Sequence, residues 1–104
     1  MLEISTAKIV RVIMLCREFG PDSPRLTNYI SGLNEDEQVS LVAVLWIGRD
    51  SFDADQLQEA KDQARAEATA PTEQYLSGIP GLAEHLEAGM DALGIDVTDA
   101  EDHM

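Results

Sequence analysis

A chain of 104 residues, 44% hydrophobic and 26% charged, has the apolar surface for one core and too little for two, which argues against both a disordered polymer and a two-domain arrangement. Its net charge of −13 argues against direct binding to nucleic acid or to an anionic lipid surface, since the field repels both. That charge is uneven: residues 1–32 carry Lys8, Arg11, Arg17 and Arg25 against Glu3, Glu18 and Asp22, a net of +1, whereas residues 33–104 carry Arg49, Lys61 and Arg65 against seventeen carboxylates, a net of −14.

The spacing of Ile9, Val12, Ile13, Cys16 and Phe19 predicts a first helix, capped by Ser5 or Thr6 and stopped by Gly20-Pro21. Val10 and Met14 widen its apolar stripe, and Lys8, Arg11, Leu15 and Glu18 are expected on a narrow wet side. Ser23-Pro24 then supplies a capping hydroxyl and a proline at the first helical position, where a missing N–H does no harm. This second helix turns Leu26, Tyr29 and Ile30 inward and ends at Ser31-Gly32.

Asn34 with Glu37 three residues later reads as a capping box, and Glu35, Asp36 and Glu37 suit the positive end of a helix dipole. The helix that follows, about 35–48, is apolar almost all round from Val39 to Ile47 and is expected at the centre of the fold. Its β-branched residues also fit a buried strand; the cap in front and Gly48-Arg49 behind favour the helix. A fourth helix is expected over 54–68 with a thin stripe of Leu57, Ala60, Ala64 and Ala68. Alanine buries little surface, so this helix should be the easiest to detach. Pro71 starts a short turn through Tyr75-Leu76 that Gly78 ends. Pro80 opens the last helix, with Leu82, Ala83, Leu86, Met90 and Leu93 inward and Gly94 as its stop. The sum is an all-α bundle of five to six short helices, one domain over 1–94, followed by an acidic flexible tail over 95–104.

The chemistry-bearing residues do not form a known catalytic pattern. His85 sits beside Glu84 on what reads as a surface helix, and His103 lies in the tail. Neither a nucleophile elbow nor a glycine-rich phosphate loop is present. Asp96, Asp99, Glu101 and Asp102 lack the spacing of a calcium loop, and Glu84, His85 and Glu87 do not line one helical face, so no metal site and no cofactor are expected. The single Cys16 falls on an apolar stripe and reads as an inert buried thiol in a reducing compartment. The longest strongly apolar run, nine residues from Val39 to Ile47, is far short of the roughly 20 a membrane span needs, and the start of the chain does not read as a secretory signal; a cytoplasmic protein is expected.

The segment Leu33-Asn34-Glu35-Asp36-Glu37-Gln38, then Leu41-Val42-Ala43 and Leu45-Trp46-Ile47-Gly48-Arg49, resembles the signature of a bacterial family of short acidic proteins known as a domain of unknown function. Tyr75-Leu76-Ser77-Gly78-Ile79-Pro80-Gly81-Leu82, with Leu86-Glu87-Ala88-Gly89 behind it, is similar to a second part of that signature, and the first helix resembles the family's opening helix. The resemblance implies a helical fold and no assigned activity. It departs in a short Gly20–Ser23 loop, where family members often carry an acidic insertion, and in Asp50, where they tend to have glycine.

The expected function is therefore a non-enzymatic protein–protein interaction module with an unidentified protein partner, a homodimer being one form of it, because the first helix carries a wide apolar stripe. Two other classes are kept beside it. One is an acidic charge mimic that occupies the cationic groove of a nucleic-acid-binding protein. The other is a small-ligand binder or enzyme centred on Arg49, with Glu37, Trp46 and Tyr75 as binding candidates, which requires these four to converge. Arg49 is expected in a structural ion pair, with a lone cation in an acidic pocket as the other reading; Trp46 and Tyr75 are expected in the core with their polar atoms near its rim.

Overall fold

Side-chain caps set the first three helices in the computed structural model, which describes residues 3–67 and 71–95. Helix α1 (Thr6–Phe19) starts where Ser5 Oγ accepts the Lys8 N–H at 3.2 Å and stops where the Gly20 N–H reaches Cys16 O at 2.8 Å. Helix α2 (Pro24–Ser31) is capped by Ser23, whose Oγ accepts from the Leu26 N–H at 3.2 Å, with Pro24 at its first position. Helix α3 (Glu35–Gly48) opens on the full capping box: Asn34 Oδ1 accepts the Glu37 N–H at 2.7 Å, and the Asn34 N–H donates to Glu37 Oε1 at 3.0 Å. The Gln38 amide donates to both Ile30 O and Leu33 O at 3.0 Å, closing the turn between α2 and α3.

α3 is buried over the whole run from Val39 to Ile47, because α4, α5 and α6 each pack against it. Each large apolar side chain placed there contributes about 1.5–3 kcal/mol by leaving water. The other helices bury one side only. α1 packs on α2 and α6, and α5 (Thr72–Ser77) lies on α2 with Leu76 inward. The radius of gyration is 12.3 Å, close to the roughly 13 Å of a single compact body of this length. Among the described residues all regular structure is helical, in agreement with an all-α bundle around 35–48.

Four details depart from expectation. In α1, Leu15 is buried and Met14 is 39% exposed, the reverse of the wet side anticipated, and Phe19 at the helix end is 44% exposed. The covered arc is decided by where α2 and α6 lie, and it extends from the Val12–Cys16 side toward Leu15. The fourth helix begins as a single 3-10 turn over Ala54–Gln56, in which the Asp53 N–H donates to Gln56 Oε1 at 2.9 Å; α4 proper is Leu57–Ala66, and Ala68 lies outside the described residues. The last helix, α6 (Leu82–Ala92), starts after Gly81 at φ +70°, so Pro80 sits in the preceding turn instead of the first helical position. Ile95, placed in the tail by sequence, is half-buried against the core with its N–H on Met90 O at 2.8 Å; positions 96–104, including the carboxylates of the tail and His103, lie outside the described residues.

The end of α3 resolves the turn that Asp50 left open. Asp50 adopts φ +67°, and the Ser51 N–H reaches back to Trp46 O at 2.9 Å, so position 50 takes the left-handed place that glycine usually fills after a helix. A non-glycine residue there costs about 1–2 kcal/mol, partly offset by the roughly 0.5–1 kcal/mol of extra chain entropy that glycine brings to the unfolded state. Asp50→Gly is expected to stabilise the protein by about 0.5–1 kcal/mol, seen as a higher urea midpoint at unchanged slope.

α3 and α6 cross at their glycines. A Cβ on Gly48 would stand 1.7 Å from the His85 carbonyl oxygen, and one on Gly89 would stand 2.1 Å from that of Val44. The two backbones thus touch directly, each glycine lying against the main chain of the other helix.

Candidate functional site

Two of the four candidate residues, Trp46 and Tyr75, meet at the C-terminal end of α3; Arg49 follows in sequence at that end, and Glu37 lies at the other. Trp46 and Arg49 stand one turn apart on that helix. The Trp46 indole N–H donates to Tyr75 Oη at 2.9 Å, bringing in α5, and its ring stacks on Phe52 at 5.9 Å with 23° between the planes. Trp46 is buried and Tyr75 is 36% exposed, so the pair sits at the rim of the core with its polar atoms satisfied by each other. Arg49 is exposed and donates from Nε to Ser51 Oγ at 3.2 Å; it forms no ion pair among the described residues, which overturns the structural ion pair expected for it. Glu37 lies twelve residues earlier on α3, about 18 Å away along the axis, so the four do not converge.

Glu37 is instead a structural junction. Its carboxylate closes the capping box and takes the Lys8 ammonium from α1. The Lys8 hydrogen bond and the Asn34 backbone hold its carboxyl below the ordinary value of 4.5, against burial, which acts the other way. Lys8 is raised above 10.5 by the same hydrogen bond. A carboxyl lowered in the folded state stabilises fully above its unfolded value and loses that contribution as pH falls through the folded one. The difference in urea midpoint between the parent and Glu37→Gln, which keeps the capping reach, should thus be level from neutral pH to about 5 and shrink below 4.5.

Other charges tie helices together. Arg17 forks onto Glu87, joining α1 to α6, with one arm at 3.2 Å. Lys61 Nζ, on the buried side of α4, meets Glu3 Oε1 at 2.9 Å; the Glu3 N–H in turn donates to the buried Ser40 Oγ of α3 at 3.0 Å. Arg65 of α4 meets Asp36 of α3 at 3.1 Å. Burial pushes the Cys16 thiol up, against the backbone of Ala83, as suits an unreactive cysteine. Among the described residues no three His, Cys, Asp or Glu side chains are grouped to hold a metal ion, and no helix is long and apolar enough to cross a membrane.

The surface that sequence reasoning missed is the outer ridge of α1. At about 100° per residue, Ala7, Arg11, Met14 and Glu18 fall within roughly 60° of one another, and all four are exposed. The ion pairs of Lys8 and Arg17 bracket the ridge. Phe19, the last residue of α1, stands about 80–140° round the helix from the ridge and carries the Arg25 guanidinium 4.8 Å from its ring centroid. The 4-3-4 spacing of these residues was the available signal; Arg11 and Glu18 were placed on the outer side, and only Met14 was assigned inward.

No curated protein and no solved structure matches the chain. A family model does, over residues 23–95, which run from the cap of α2 through the whole of α3 and α6 and leave α1 ahead of the match. On that match the chain belongs to the family described as protein of unknown function (DUF3775).

Proposed function

We propose that the chain is a non-enzymatic protein–protein interaction module that binds through the outer ridge of α1. The observation that supports this reading is the exposed Met14, held between Arg11 and Glu18 on one helix face. Methionine and arginine are among the side chains enriched where proteins meet. Residues 1–32, which include the ridge, are nearly balanced in charge, and Lys8 and Arg17 beside it neutralise Glu37 and Glu87 of the acidic portion.

The test is retention from an extract of the native host by three tagged chains: the parent, Met14→Glu, and Gln58→Glu as a control on the exposed side of α4. Retention of the same protein, or of a second copy, by the parent and the control but not by Met14→Glu supports the ridge. Equal retention by all three, or none by any, rules it out.

A further inference from the structure

We infer that the occupant of this ridge is a second copy of the chain, docked α1 against α1 in antiparallel across a two-fold axis beside Met14; this rests on the interaction-module reading above. Arg11 lies about one turn before Met14 and Glu18 about one turn after it, on the same face and roughly 10 Å apart along the axis. A two-fold axis midway between them lays Arg11 of each copy beside Glu18 of the other, twice over, with Met14 meeting Met14 at the centre. That is the self-complementarity an isologous contact demands. Neither Arg11 nor Glu18 forms an ion pair within its own chain among the described residues, while their neighbours Lys8 and Arg17 are engaged by Glu37 and Glu87.

The local charge balance fits the same face. Two bodies of −13 repel one another, and an acidic partner of another kind would be repelled as well. A basic partner would be drawn to the carboxylates of residues 33–104. The ridge itself is close to neutral, with Arg11 and Glu18 on it and the Lys8–Glu37 and Arg17–Glu87 pairs beside it, so two copies meeting there bring little excess like charge together. One helix face is less than the roughly 800 Å² per partner of a stable complex, so the dimer is a weak one.

Sedimentation equilibrium of the full chain to millimolar concentration tests this with the parent, Arg11→Glu, Glu18→Arg and the doubly reversed chain, circular dichroism confirming that each is folded. The expected result is a dimer for the parent, a Kd at least tenfold weaker for each single reversal, and recovery to within about threefold in the double. Glu18→Arg is decisive, because it lowers the net negative charge: a general charge effect strengthens association, whereas loss of the reciprocal pair weakens it. A parent that stays monomeric, a Glu18→Arg chain that associates better than the parent, or a double reversal that does not recover overturns the proposal. If the parent is monomeric but Met14→Glu still abolishes retention of a host protein, self-pairing is wrong and the interaction-module reading stands.

Discussion

Gly48→Ala is expected to destabilise the protein by about 3 kcal/mol or more, and Gly89→Ala by a similar amount, although alanine is the better helix former by about 1 kcal/mol. The sign follows from what the new methyl group meets. At Gly48 it would stand 1.7 Å from the His85 carbonyl oxygen, 2.7 Å from the carbonyl carbon and 2.8 Å from the Gly89 nitrogen. At Gly89 it would stand 2.1 Å from Val44 O and 2.9 Å from Val44 Cγ1. All but one of these atoms are main chain inside a helix, so relief requires α3 and α6 to move apart, and that opens the centre of the core. Against a total stability of about 5–15 kcal/mol, either substitution leaves a marginal fold. Urea titration followed by circular dichroism measures it; a variant as stable as the parent would mean that the two backbones do not touch.

The second large effect is at Trp46. Removing this buried ring with Trp46→Ala should cost about 3–5 kcal/mol, since it empties the space between Phe52 and the rest of the core. Tyr75→Phe, which deletes only the acceptor of the indole N–H, should cost about 1 kcal/mol, because the half-open rim lets water take part of the bond. A double-mutant cycle with Trp46→Phe and Tyr75→Phe should return a coupling near 1 kcal/mol. Additive single effects would mean that the 2.9 Å bond adds nothing in solution.

What could be read from the residues is what local chemistry decides. Ser5, Ser23 and the Asn34–Glu37 box marked three helix starts, because a cap involves only residues within one turn of one another. The all-round apolarity of 39–47 marked the centre for the same reason. What escaped depends on distant partners. The exchange of Met14 for Leu15 on the covered side of α1 is set by the positions of α2 and α6, to which a single helix's periodicity is blind. Lys61 goes inward to meet Glu3, 58 residues away in the chain, and no spacing announces that. Gly48 was legible as the end of a helix but not as a contact point, since its reason is the backbone of α6. The binding candidates shared this limit: core packing was expected for Trp46 and Tyr75, and while Trp46 is buried, Tyr75 stays 36% exposed with its hydroxyl on the indole N–H, and Glu37 is taken up by Asn34 and Lys8.

The attachment of α4 has a consequence for proteolysis. This helix packs inward through Leu57, Ala60, Lys61 and Ala64, only one of them a large apolar residue, and charges help to fasten it, Lys61 to Glu3 and Arg65 to Asp36. Those two cations are also trypsin sites, whereas residues 26–48, which include all of α3, contain neither lysine nor arginine. A protease needs several residues of extended chain, so cleavage after Lys61 or Arg65 has to wait for α4 to unwind, and its rate counts the openings of that one helix while the centre stays intact. Moderate salt, which loosens the exposed Arg65–Asp36 pair, should hasten those cuts.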